Sequence, residues 1–429
     1  MKRFLSVLLW SVISAAFIGP GTVTTAASAG AGYGYRLLWA LVFSTVACLV
    51  LQEASARVTL ASGRSLGECL KEQYSGLPRV FVTGLVLGAV LLGCAAYEAG
   101  NLLGSVAGAS LKLALSRRLL TLCIGALAGL LLYFGKTRTV ARILGAVVAV
   151  MGIAFLATAL LMRPNLSSLL RGAFLPSVPA GGSLLVIGLI GTTVVPYNLF
   201  LGSGVAQESN KHEYRFGLTV AVLLGGIISM GVLVVGTSVA GTFSFQALSD
   251  SLTDRLGSWA AFLFSLGLFA AGFSSAVTAP LAAALTAGSL LGGAGNSRWR
   301  VRSWRYRSVW AMVLLSGMVF GMLDVKPVPA IILAQALNGI LLPLVAVLLL
   351  FIVNDRNGPA ASALNRPWNN VLMVLVVGVT VVLGFSNLVR AAGMGGTAEP
   401  RWVLLLTGAL TAGILVPTIR RVCTLRKLD

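Results

Sequence analysis

Glu98 has the strongest claim to chemistry in this chain. It is one of 12 acidic residues among 429. It stands well inside an apolar run, with Asn101 one helical turn on. A carboxylate at such depth is expensive to keep and usually functional, and proton relays are built from such groups. The plainer account is a structural Glu bonded to a neighbouring backbone or hydroxyl group. Two other constellations are uncharged: Gly19-Pro20-Gly21-Thr22-Val23-Thr24-Thr25, and Gly191-Thr192-Thr193-Val194-Val195-Pro196-Tyr197-Asn198. Proline removes a backbone donor and crowds the preceding turn, so each stretch is expected to interrupt a helix. The interruptions would offer Thr22, Thr24, Thr25, Thr192, Thr193, Tyr197, Asn198 and unpaired carbonyls to a substrate, with Val195 in the same turn. Ordinary Gly/Ser/Thr packing between membrane helices is the simpler account. Two such sites in matching positions favour a binding site instead.

Further along, Gln335 and Asn338 lie one turn apart in an apolar run. They could hold solute, gate its path, or bond one helix to another. Gln52 and Glu53 end the second apolar run, where Glu53 is expected to pair with Arg57 or Arg142 as a gate, or else to remain a solvated charge. Ser274 and Ser275 could simply satisfy backbone groups. Five cysteines, Cys48, Cys69, Cys94, Cys123 and Cys423, show no ligand spacing and read as reduced and structural. The one histidine, His212, falls in a connection. No P-loop, HExxH or GxSxG motif is present. The machinery of ATP-driven pumping and hydrolysis is therefore absent from the sequence, and neither an enzyme nor a bound cofactor is expected.

These residues must be positioned by membrane helices. The chain is 57% hydrophobic and 10% charged, with a mean hydropathy of +0.93. A soluble surface needs about a quarter charged residues. Apolar runs of about 20 residues recur, each long enough to cross a hydrocarbon core. Their length argues for helices over barrel strands. Twelve spans are expected: 6–33, 36–58, 79–107, 117–134, 139–162, 182–209, 216–241, 258–293, 306–323, 327–353, 368–389 and 402–419. Lys2, Arg3 and the run after them also have the look of a signal peptide, with Ala26-Ala27-Ser28-Ala29 as a cleavage-like stretch. That run continues into Gly-rich sequence and is read as an uncleaved first span.

The net charge of +20 lies in the connections. That pattern fits the positive-inside rule better than nucleic-acid binding, and no nucleic-acid partner is expected. With the N-terminus inside, most of the 32 Lys and Arg fall on the cytoplasmic side. They include Arg298, Arg300, Arg302, Arg305 and Arg307, and a tail with Arg420, Arg421, Arg426 and Lys427. Both termini of this multi-pass protein of the inner or plasma membrane are thus expected in the cytoplasm. The arginine cluster could also meet anionic lipid head groups.

Several motifs, in order, resemble the Nramp family of proton-coupled divalent metal transporters. They are Gly19-Pro20-Gly21, Tyr33-Gly34-Tyr35-Arg36-Leu37-Leu38-Trp39, Leu51-Gln52-Glu53-Ala54-Ser55-Ala56-Arg57, Tyr97-Glu98-Ala99-Gly100, Val195-Pro196-Tyr197-Asn198-Leu199-Phe200-Leu201 and Ala271-Gly272-Phe273-Ser274-Ser275. The resemblance implies an all-α fold of the LeuT type, with two inverted five-helix repeats. These would cover about 1–165 and 180–353 within a core of 1–353, and two additional helices and a tail would fill 354–429. It places the substrate between broken helices one and six, and Gln335 and Asn338 on a helix facing it.

The family's metal chemistry is not carried over. Its first helix unwinds at Asp-Pro-Gly-Asn. Counting forward from Gly19-Pro20-Gly21 puts the Asp at Gly30 and the Asn at Tyr33; counting back from Tyr33-Gly34-Tyr35 leaves about eleven residues missing, the motif with them. No acidic residue precedes Glu53. The sixth-helix Met and His are Val195 and Tyr197, and an acidic position one turn before Glu98 is Ala95. A small divalent ion keeps its water unless anionic or strong donor ligands replace it. The resemblance therefore implies a secondary transporter, coupled to a proton or other ion, with an altered preference: a small solute or cation in place of the family's divalent metal. Glu98, Asn101 and Glu53 would serve coupling or gating. The alternatives are a transporter of a small organic solute on the same scaffold, and a membrane binding or sensor protein that has lost transport.

Overall fold

A computed structural model of the chain describes residues 18–134, 137–207, 211–239, 241–292, 297–300, 303–323, 325–391 and 401–427. It is helical, with no strand among the described residues. The first half contains α1 (Pro20–Tyr33), a 3-10 turn (Gly34–Leu37), α2 (Leu38–Ser62), short α3 (Leu66–Gln73), α4 (Gly76–Ser110), α5 (Arg117–Phe134), α6 (Thr137–Leu161) and short α7 (Leu166–Phe174). The second contains α8 (Ser183–Thr193), α9 (Pro196–Gln207), α10 (Lys211–Gly236), α11 (Phe245–Leu256), α12 (Ser258–Ala287), α13 (Trp304–Met322), α14 (Pro327–Ile352), α15 (Pro367–Ala391) and α16 (Arg401–Lys427).

Ten segments among the described residues are long and apolar enough to cross a membrane. One of them, Pro20–Ser62, is two helices in tandem. Trp304–Met322 is a further helix that begins with Arg305 and Arg307. Every expected span thus meets a helix; positions 6–17 of the first lie outside the described residues. The expected 182–209 span is split, as anticipated. Three connecting helices were not foreseen. α3 starts on a capping box, Ser65 with Glu68, and α7 and α11 start on Asn165 and Ser244 side-chain caps. Such caps satisfy first-turn N–H groups that the helix itself cannot. These helices are too short to register as apolar runs.

Lipid gives no hydrophobic drive between helices, so small residues that let backbones approach do the packing. α4 and α12 cross through Gly108 and Gly272. A Cβ on Gly108 would stand 2.5 Å from the Phe269 nitrogen, and one on Gly272 would stand 2.6 Å from the Ser105 nitrogen. The Ser265 hydroxyl donates to the Gly108 carbonyl at 2.7 Å and the Ser105 hydroxyl to the Phe269 carbonyl at 3.1 Å. α8 and α14 are closer still: a Cβ on Gly191 would stand 2.0 Å from the Gln335 carbonyl oxygen. The second half-helix, α9, is fastened elsewhere. Ser55 of α2 donates to the Leu199 carbonyl at 2.7 Å, and the Ser203 hydroxyl meets Thr59 at 2.7 Å and the Leu66 N–H at 2.7 Å.

Candidate functional site

The helix formed by α8 and α9 is interrupted at Val194-Val195. Thr193 ends α8, Val194 leaves helical geometry at φ −111°, ψ 83°, and Pro196 starts α9. Helical bonding stops because Pro196 has no N–H to give. Facing this gap, α1 begins at Pro20, with Gly19 as an extended N-cap (φ −90°, ψ 174°) and no side-chain cap. The two ends are tied by a bond between Thr22 Oγ1 and Thr192 Oγ1 at 2.9 Å, with both residues 1% exposed. Helix starts carry partial positive charge and helix ends partial negative charge. The gap therefore holds fixed dipoles of both signs and no formal charge from these segments.

Side chains from α4, α12 and α14 close around it. The rings of Tyr97 and Tyr197 meet edge to face, centroids 5.5 Å apart at 79°. A Cβ on Gly19 would stand 3.5 Å from the Tyr97 hydroxyl and 3.6 Å from the Ser275 hydroxyl. The Gln335 amide lies over Gly21, where a Cβ would come within 2.2 Å of its Nε2. Among the described residues, the hydroxyls of Thr24, Thr25 and Ser28 and both amide atoms of Gln335 are buried without a hydrogen-bond partner in the protein. About nine in ten buried polar groups have one, so these atoms are exceptions.

The expected site residues do not all converge. Thr22, Thr192, Tyr197 and Gln335 surround the gap, and Thr24 and Thr25 continue along α1. The Thr193 hydroxyl turns back to the Leu189 carbonyl at 3.0 Å. Val195 is buried in the gap and offers only backbone. Asn198 is buried in the first turn of α9. Asn338 bridges helices: its Nδ2 donates to the Ala334 carbonyl at 3.1 Å and to the Gly93 carbonyl of α4 at 3.4 Å. Ser274 satisfies backbone, donating to the Ala271 carbonyl at 3.2 Å.

Glu98 is fully buried, but it faces away from Tyr97. Successive helical residues turn by about 100°. While Tyr97 points at the gap, the Glu98 side chain lies against α13, where a Cβ on Gly317 would come within 2.6 Å of its Cγ. Its Oε2 accepts from Asn101 Nδ2 at 3.4 Å, and its Oε1 has no partner in the protein. Tyr97 and Ser275 are the residues that sequence reasoning passed over as gap-lining groups. The motif around Glu98 contained the first of them, but pattern alone cannot set the rotation of α4.

Gly30 lies inside α1, and Tyr33 is its last residue, before the 3-10 turn at Gly34. Gly30 packs on α10, where a Cβ would stand 2.0 Å from the Leu233 carbonyl oxygen. Among the described residues, α1 begins at Pro20, after the extended Gly19. Among the described residues there is no group of three or more His, Cys, Asp and Glu able to hold a metal ion. The side chains of His212 and Arg142 lie outside the described residues. All five cysteines are unbridged.

A second polar centre sits at the far end of α2. Glu53 pairs with Arg57 at 3.1 Å, as the spacing anticipates, and also with Arg215 of α10. Arg57 further donates to the Ala363 carbonyl and Asn365 Oδ1, in the connection before α15. Asn365 Nδ2 donates to Asn370 Oδ1 at 2.7 Å, and the Asn365 carbonyl accepts from Arg426 of α16. A cavity of about 290 Å³ opens beside Glu53, Arg57, Arg215 and Asn365.

Comparison with known proteins agrees with this architecture. The family model described as natural resistance-associated macrophage protein-like (Nramp) matches residues 11–390. A divalent metal cation transporter MntH of Deinococcus radiodurans is 28% identical over 406 residues, covering 90% of each chain. Another, of Pectobacterium carotovorum, is 26% identical over 394 residues, covering 86% of this chain and 90% of its own. Among solved structures, the Eremococcus coleocola manganese transporter in complex with an aromatic bis-isothiourea substituted compound superposes with a TM-score of 0.72 at 18% identity, covering 98% of this chain and 94% of that one. Mhp1, a nucleobase-cation-symport-1 family transporter with bromovinylhydantoin bound, gives 0.60 at 15% identity, covering 99% and 94%. These likenesses show the LeuT-type fold. With the family model matched over most of its length, this multi-pass membrane chain belongs to the Nramp family of transporters.

Proposed function

We propose that this chain is a secondary-active transporter of the cell membrane with its substrate site between the start of α1 and the interruption of α8–α9. Its substrate is a small hydrogen-bonding solute or a large, weakly hydrated cation, and not a transition-metal ion. One observation carries the reading: the groups that meet at the gap are hydroxyls, a carboxamide, two phenols and backbone dipoles, and among the described residues no group of three or more His, Cys, Asp and Glu could hold a metal ion. Gly19-Pro20-Gly21-Thr22 stands in the turn that the family builds from Asp-Pro-Gly-Asn, so Gly19 replaces the acid and Thr22 the amide. Val195 and Tyr197 likewise replace the sixth-helix Met and His. Dehydrating manganese or iron against such neutral oxygens is unfavourable. Oxygen dipoles do suit an amide, a hydroxylated solute or a large, weakly hydrated monovalent cation.

Glu98 is the proton carrier in this reading, acting from behind Tyr97, with one carboxylate oxygen uncommitted. Glu53 with Arg57 and Arg215 is the gate at the end that the charge pattern assigns to the cytoplasm, where both termini lie. Residues 1–353 form the transporting core.

A second reading is divalent metal transport, favoured by the MntH relatives at 26–28% identity. It requires Glu98 to swing past Tyr97 and supply the missing charge. Uptake into proteoliposomes with a panel of metals and organic solutes, under an imposed proton gradient, separates the two. The expected result is flux of a neutral or weakly hydrated substrate and no manganese flux. Manganese uptake that survives Glu98→Gln and Tyr197→Phe would overturn the neutral-site reading, as would tight manganese binding by calorimetry. Substrate binding without flux would favour a sensor.

A further inference from the structure

A large open feature lies away from the gap between α1 and α8–α9. A groove of about 1130 Å³ runs between α2, α7, α15 and α16. Small-molecule sites usually occupy about 300–1,000 Å³ and enclose most of the ligand. This groove is larger and one-sided. Phe174 (68% exposed), Leu375 (50%) and Val382 (40%) leave its wall open towards the bilayer. Its lining on α15 extends from Pro367 to Leu383, about 24 Å at 1.5 Å per residue, against a hydrocarbon core of about 30 Å. It is therefore a slot along the membrane normal, shaped for a chain.

Its charge is confined to one end. Arg426 is the one charged residue in the lining, with Asn370 beside it. Arg366, Arg420 and Arg421 flank that end in sequence and are exposed. No carboxylate lines the groove among the described residues. α16 is held there by buried Val422 and Leu425, so the guanidinium of Arg426 is presented on a fixed turn. We propose that this groove binds one anionic phospholipid, its acyl chains along α15 and its phosphate against Arg426. Arginine suits this role because its planar donor fork fits phosphate oxygens, and clustered bases next to a span attract anionic head groups.

The site has a built-in consequence. Arg426 also donates to the Asn365 carbonyl, and the Asn365 side chain accepts from Arg57, the partner of Glu53. Phosphate on Arg426 therefore bears on the same connection that the ion-paired end of α2 grips.

The test uses the full chain in mild detergent. Trp39 lines the end of the groove opposite Arg426, so phosphatidylglycerol with brominated acyl chains should quench its fluorescence saturably, and Trp39→Phe should remove that component. Brominated phosphatidylcholine should need at least tenfold more lipid for the same quenching. Arg426→Gln should abolish that preference. Leu375→Trp, which fills the slot and leaves the charge, should reduce binding of both lipids. Equal half-saturation for the two lipids in the native protein would overturn the proposal, because it describes a general lipid coat. An unchanged preference in Arg426→Gln, with native thermal unfolding, would also overturn it.

Discussion

Two glycine substitutions separate substrate recognition from packing. In Gly21→Ala the new methyl group would stand 2.2 Å from Gln335 Nε2 and 2.4 Å from its Cδ. Ordinary contact begins near 3.4 Å, so the amide must retreat by roughly 1.2 Å. The obstacle is the far end of a flexible side chain, and the fold should yield at little cost. Recognition should not. Losing a hydrogen bond while leaving its buried partner unpaired costs about 1–3 kcal/mol, or about 5- to 150-fold in affinity at 1.4 kcal/mol per decade. Gly191→Ala is the opposite case. Its methyl group would meet the Gln335 carbonyl oxygen at 2.0 Å and the Gly339 nitrogen at 2.5 Å. Backbone cannot swing aside, and overpacking of this kind costs about 1–3 kcal/mol of stability. The assays are half-saturation of uptake in proteoliposomes and thermal unfolding of the purified protein. Gly21→Ala should raise half-saturation with near-native unfolding, whereas Gly191→Ala should lower the unfolding temperature. Native half-saturation in both Gly21→Ala and Gln335→Leu would refute the placement of Gln335 in the site.

Other expectations are as direct. A double-mutant cycle of Thr22→Val and Thr192→Val should show a coupling of about 0.5–1.5 kcal/mol in stability; strictly additive losses would mean that the 2.9 Å contact contributes nothing. Glu98→Gln should retain substrate binding and lose coupled proton movement, measured with a pH-sensitive dye inside the vesicles. Unchanged proton flux removes it from that role. Glu53→Gln strands Arg57, whose side chain is 12% exposed, and should speed amide hydrogen exchange over residues 50–62 several-fold. Arg215→Gln should do less, because Arg215 is 49% exposed and solvent already screens it. Equal effects from the two would contradict that ranking.

Some of this was legible in the residues and some was not, for physical reasons. Apolar run length finds the spans because lipid admits no other backbone solution. Pro196 marks the break in the sixth span because a missing donor acts locally. The pairing of Glu53 with Arg57 follows from i,i+4 spacing, but Arg215 is 162 residues away and reaches Glu53 only through the packing of α10 on α2. Glu98 was read as a buried carboxylate, and it is one. What the pattern could not say is which way α4 is turned, so Tyr97 holds the place at the gap and Glu98 the place behind it. Asn338 shows the same limit: its neighbour across the helix pair is Gly93, and no feature of either residue announces the other. Counting puts an Asp position at Gly30, but spacing along the chain carries no sign of the close approach of α10 that Gly30 allows.

The interrupted helix has a mechanical meaning. Its upper piece is jammed against Gln335 and Gly339, and its lower piece is stitched by three hydroxyl contacts to Ser55, Thr59 and the start of the helix at Leu66. Val194 and Val195 alone join them: the Val194 N–H still donates to the Ile190 carbonyl and the Val195 carbonyl accepts from the Asn198 N–H, with no helical bond running across the pair from Pro196. Such a joint can jackknife while every fastening on either side stays intact. The gap proposed for substrate lies at the elbow, where a small change of angle alters the opening most.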